Sequence, residues 1–200
     1  MSGYCSAACV TCTLLLVLSL LRPDHAEKRC DISSHNPTDT ETLDLKRCSL
    51  SALPPTIVEF TRLKKLDLGF NGLTELPALP PSLEILFLLA NRFEAVPPQV
   101  SSLPSLRMLS FKSCRLKVID VPLPVSLKWL ILTDNRLAEL PHQLGELKEM
   151  RKLMLSNNRL GALPRSMAAL TELELLRLAN NRLRRLPEWL HALPLLGRLA

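Results

Sequence analysis

Short bursts in which leucine alternates with other residues recur along the chain, at Leu66/Leu68, Leu86/Leu88, Leu130/Leu132, Leu153/Leu155 and Leu176/Leu178. Period-two alternation over so few residues predicts short β-strands with one buried face. Each burst has an apolar residue three positions before it, at Leu63, Leu83, Leu127, Met150 and Leu173, and a small polar residue three positions after its second leucine. That polar position is Cys48, Asn71, Asn91, Cys114, Asn135, Asn158 and Asn181, in steps of 23, 20, 23, 21, 23 and 23 residues. The first unit is weaker, with Thr40 where the opening leucine is wanted, but Leu43, Leu45 and Leu50 keep their places. An eighth unit begins at Leu196 and Leu199. A repeat of this length predicts a solenoid, because one strand and its connector cannot bury their apolar face alone while stacked neighbours can.

The polar position sits where each strand gives way to a turn, so backbone amides and carbonyls there need partners inside the stack. Asn supplies both a donor and an acceptor, and Cys supplies a small, weak donor, so Cys48 and Cys114 are expected as structural rungs and not as reactive thiols. Connectors follow repeat length. Leu140-Pro141, Leu163-Pro164 and Leu186-Pro187 open runs with apolar residues three to four apart, which predict short helices. The shorter units carry Leu76-Pro77-Ala78-Leu79-Pro80-Pro81 and Val121-Pro122-Leu123-Pro124, which favour a polyproline-type path. The expected fold is an α/β solenoid over residues 40–200, an arc with a parallel concave sheet and helical or polyproline connectors on the convex side. Residues 1–22 form an apolar leader and 23–39 a flank.

Residues between the buried leucines face the concave side and align as columns across parallel strands. One column runs Asp44, Asp67, Phe87, Ser110, Ile131, Met154, Arg177, and its neighbour runs Thr42, Lys65, Ile85, Met108, Trp129, Lys152, Leu175. Their middles are apolar and their ends largely charged. Ile85, Phe87, Met108, Trp129, Ile131, Met154 and Arg177 are therefore the candidate partner-binding residues, rimmed by Lys64, Asp67, Arg107, Lys128 and Arg151. An apolar patch with a polar rim suits a protein partner.

Composition changes this picture little. The net charge of +6 is modest for 200 residues, and basic residues alternate with acidic ones as in Glu146-Leu147-Lys148-Glu149. Arg182, Arg184 and Arg185 read as a solvated edge and not a nucleic-acid footprint, since no aromatic platform accompanies them. There is no phosphate-cradling glycine loop, His pair at metal spacing or nucleophile elbow, so neither an enzyme nor a cofactor or metal site is expected. Cys5, Cys9 and Cys12 have the C-x3-C-x2-C spacing of an iron–sulfur site, but no barrel stands behind them; the spacing is read as accidental, with reversible acylation as the competing chemistry.

The run Ala7–Leu21 is long enough for a signal-peptide core and short for a membrane span. No Lys or Arg precedes it, Asp24 spoils a cut after Ala26, and only Cys30 lies between the run and the repeats, where a secreted protein would place a disulfide cluster. The chain is accordingly expected in the cytoplasm, with secretion or anchoring through residues 7–21 as the alternative. Membrane contact is expected only through that run, if it is retained.

The pattern Leu63-Lys64-Lys65-Leu66-Asp67-Leu68-Gly69-Phe70-Asn71-Gly72-Leu73 fits LxxLxLxxNxL at every position, and the chain resembles the leucine-rich repeat superfamily from about residue 40 onward. Its Leu-Pro units are similar to those of intracellular Ras-group repeat proteins, which implies a signalling scaffold. The stretch Pro124–Asn135, with Lys152-Leu153-Met154-Leu155 and Leu173–Leu178, resembles the repeat half of leucine-rich repeat protein kinases of bacteria and unicellular eukaryotes. That resemblance implies a regulatory region followed by a kinase domain. The chain has no glycine-rich loop, HRD-type segment or DFG, so no kinase residue is carried over. The Leu-Pro-x-Leu-Pro-Pro run is also similar to bacterial effector repeats, whose ligase domain is absent.

Overall fold

A computed structural model describes residues 30–199. Each leucine burst forms a three-residue strand: β1 Thr42–Asp44, β2 Lys65–Asp67, β3 Ile85–Phe87, β4 Met108–Ser110, β5 Trp129–Ile131, β6 Lys152–Met154 and β7 Leu175–Arg177, followed by β8 Arg198–Leu199. The strands stack in sequence order into one parallel sheet. Their register is unbroken, Leu43 opposite Leu66, then Leu86, Leu109, Leu130, Leu153 and Leu176, so every central leucine falls in one buried column. A one-residue slip anywhere would turn a leucine outward, and that cost fixes the register.

The connectors divide by length, as the sequence predicts. Each 23-residue unit with a full connector makes a five-residue 3-10 turn, at Pro55–Glu59, Pro98–Ser102, His142–Glu146, Arg165–Ala169 and Glu188–Ala192. A proline in extended conformation precedes each turn, and the central apolar residue of each, Ile57, Val100, Leu144, Met167 or Leu190, is buried. The helices expected there are thus of the 3-10 kind, because five residues are too few to propagate an α-helix. The two shorter units lack the residues for such a turn, and residues 76–80 and 122–124 run without helix.

Five asparagines tie the units together. Asn135 Oδ1 accepts the Leu116 N–H at 3.0 Å, while its Nδ2 donates to the Phe111 carbonyl of the previous unit at 2.8 Å and to Leu132 of its own at 3.0 Å. Asn71, Asn91, Asn158 and Asn181 repeat this arrangement. The residue before every rung, from Arg47 through Phe70, Ala90, Ser113, Asp134 and Asn157 to Asn180, has a positive φ between 54° and 62°. That left-handed step turns the chain out of the sheet and aims the next side chain inward.

The two cysteine rungs part ways. Cys114 is buried and donates to the Leu88 carbonyl at 3.2 Å, as a weak rung should. Cys48 is not a free rung: it is disulfide-bonded to Cys30, with Cα atoms 5.4 Å apart. The bond clasps the flank onto the first unit, where Ile32 joins the core and Asp31 caps a short turn by accepting the Ser33 N–H at 2.9 Å. The fold thus supplies the cap that Cys30 alone could not.

Candidate functional site

Because the strands are in register, the two concave columns run as expected, Lys65–Ile85–Met108–Trp129–Lys152–Leu175 and Asp67–Phe87–Ser110–Ile131–Met154–Arg177. All seven candidate residues lie on β3 to β7 and share one face. Ile85, Phe87, Met108, Trp129, Ile131 and Met154 are half-buried, and Arg177 is exposed. Neighbours in a column stand one strand apart, about 4.8 Å, so Ile85, Met108 and Trp129 follow one another across β3 to β5, and Ile131 and Met154 across β5 and β6. Ser110 lies between Phe87 and Ile131 and is only 5% exposed.

Two lysines belong to this layer in a way the sequence does not disclose. Lys152 Nζ stands 3.9 Å from the centre of the Trp129 ring, and Lys65 Nζ stands 5.8 Å from that of Phe87. Each places a cation over an aromatic face, so the patch is apolar in its middle and positively charged at the rings.

The rim differs from expectation at one position. Asp67 is 9% exposed, accepts the Gly69 N–H at 3.0 Å and pairs with Lys46 at 3.0 Å. It closes the strand's own turn and offers no carboxylate to a partner; Asp44 plays the same part by accepting the Lys46 N–H. The basic rim is largely engaged along the sheet edge, Lys64 with Glu41 at 3.1 Å, Arg107 with Glu84 at 3.9 Å, Lys128 with Glu149 at 3.2 Å and Arg151 with Glu174 at 3.7 Å. These exposed pairs contribute little to stability, but they order the border of the patch.

The sheet, the rungs and the repeat length agree with what comparison finds. A family model described as leucine rich repeat matches residues 125–183 and again 148–199. Residues 125–199 thus match the leucine-rich repeat family, and the arc as a whole has the leucine-rich repeat fold. Among solved structures, this leucine-rich repeat arc is similar to a leucine-rich repeat protein of Leptospira interrogans, with 25% identity and a TM-score of 0.65 over 87% of this chain and 49% of that one. It is also similar to a TDR receptor, with 26% identity and a TM-score of 0.60 over 80% and 34% of the two chains. An internalin of Listeria monocytogenes shares the fold at 18% identity and a TM-score of 0.56, over 84% and 58%. The chain therefore spans between about a third and three fifths of the length of these proteins. No curated protein matches it significantly in sequence. Among the described residues no helix is long and apolar enough to cross a membrane; the run 7–21 lies outside them.

Proposed function

We propose that this repeat arc is a non-catalytic recognition module that holds a protein partner on its concave face. The observation that carries the reading is the apolar layer of Ile85, Phe87, Met108, Trp129, Ile131 and Met154 on neighbouring strands β3 to β6, with Arg177 exposed beyond it. Such a layer offers aromatic and aliphatic anchors at its centre, where binding energy concentrates, inside a charged border that excludes water. The lysines over Trp129 and Phe87 fit a partner that brings carboxylates beside its apolar anchor. One similar structure is that of a receptor, which agrees with a binding role.

The Cys30–Cys48 disulfide supports the exported alternative over a cytoplasmic one, because such bonds persist in oxidising compartments. Of the grounds for a cytoplasmic location, the bond removes the one that rests on Cys30 standing alone before the repeats, since Cys48 is its partner.

A double charge insertion tests the reading. Phe87→Glu with Ile131→Glu should weaken a partner isolated on the wild-type chain by at least about 30-fold, on the scale of losing a central anchor worth ~2 kcal/mol. The far-UV spectrum should be unchanged. Equal capture by wild type and variant would overturn the assignment.

A further inference from the structure

The position after each rung holds arginine in five consecutive units, Arg92, Arg115, Arg136, Arg159 and Arg182. Their backbone N–H groups donate to Leu73, Phe93, Leu116, Leu137 and Leu160 of the preceding units at 2.8 to 3.0 Å. Adjacent arginines thus stand one unit apart along the stack, on the order of 5 Å. All five are exposed, and none forms an ion pair or side-chain hydrogen bond with another described residue. The concave rim, by contrast, is matched by glutamates. The hydrogen bond from Lys117 at 2.7 Å holds the Glu94 carboxyl below the usual range, and Arg136 and Arg115 add only a weaker attraction without pairing to it.

Five stacked cations repel one another, and a chain of anions laid across them would relieve that repulsion. Arg92, Arg115 and Arg136 line one shallow groove of about 420 Å³, shared with Ser113 and Asp134. The column beside the arginines continues with Asn157 and Asn180, linked at 2.7 Å. Hydroxyl, carboxylate and carboxamide groups beside guanidinium groups suit a ligand that bears both hydroxyls and anions. Phe70 precedes the five arginines on this edge, 43% exposed, with the Arg47 guanidinium 4.7 Å from its ring centre.

We propose that this edge is a second binding surface, an arginine ladder that takes a linear sulfated polysaccharide along the axis of the stack. Each guanidinium can grip a sulfate with two parallel N–H donors, and the even spacing lets one polymer engage several rungs at once. The disulfide agrees, since it belongs to the compartments where such polymers occur. The ladder lies off the concave face, so it neither needs nor blocks the partner proposed there.

Binding of a fluorescein-labelled heparin oligosaccharide, read by anisotropy at physiological salt, tests it. Arg115→Gln with Arg136→Gln should bind at least about tenfold more weakly, while Arg62→Gln with Arg165→Gln, which removes the same charge elsewhere, should stay within about twofold. In the wild-type chain heparin should also protect Arg115 and Arg136 from phenylglyoxal, a reading that needs no variant. Absence of binding, equal weakening in both variants or no protection would overturn the proposal. Tighter binding of a single-stranded oligonucleotide of matched charge, lost in the ladder variant, would also overturn it and make the edge a nucleic-acid surface.

Discussion

Asn135 and Cys114 occupy equivalent places one unit apart, yet they do different amounts of bonding. Asn135 meets one N–H and two carbonyls within 3.0 Å, whereas Cys114 gives one bond to Leu88. The Phe93 N–H, whose counterparts at Leu73 and Leu116 each reach an Asn Oδ1, finds only sulfur. Burial pushes the Cys114 thiol up from 9.0 to about 11. The unfolded thiol ionises first as pH rises, so its contribution to stability is full below about pH 9 and is lost between about 9 and 11. Cys114→Asn should therefore raise stability at neutral pH by about 1–2 kcal/mol, from the added rung bonds. Its margin over the wild type should widen above pH 9. Chemical denaturation at pH 7, 9 and 10.5 checks both, and a lower midpoint for the variant at pH 7 would show that the site is shaped for sulfur. The rung role of Cys114 was legible from spacing alone. The fate of Cys48 was not, because it depends on where the flank carries Cys30, and no repeat rule sets that path. Asp67 was misread as a rim charge for a related reason: its bond to the Gly69 N–H belongs to a turn two residues on, which an across-strand column does not display.

At the scale of elements, repeat length decides the connector. Units of 23 residues accommodate a 3-10 turn, and those of 20 and 21 residues cross in extended form, so both classes could be read from proline placement and spacing. The N-terminal clasp is the element that the sequence left open. It joins residues 18 apart and covers the edge of the first core layer through Ile32. Closing a loop of this size stabilises by ~3 kcal/mol through the unfolded chain. Cys30→Ser should accelerate amide exchange across residues 32–45 and leave the units from β4 onward nearly unchanged, because each repeat contacts mainly its neighbours. Unaltered exchange in 32–45 would mean that packing, and not the bond, holds the flank.

For the whole molecule, the arc presents two surfaces from one repeat. The concave columns mix Trp129, Phe87 and Ile131 with lysines, and the edge carries five arginines that form no ion pair with another described residue. The concave columns were legible because a parallel in-register sheet makes them follow directly from the alignment of units. The edge ladder was equally present in the sequence, as arginine after each rung from Arg92 to Arg182. It gained meaning only when the rim cations proved paired and these did not. The lysines over Trp129 and Phe87 needed side-chain positions, which no column gives.

Hydroxyl-radical footprinting of the arc with and without its protein partner tests concave recognition most directly, since methionine and tryptophan dominate the readout. Strong protection of Met108, Trp129 and Met154 is expected, with buried Met150 silent in both states and Trp189 on its connector unchanged. Protection at Trp189 with none at Trp129 would contradict it.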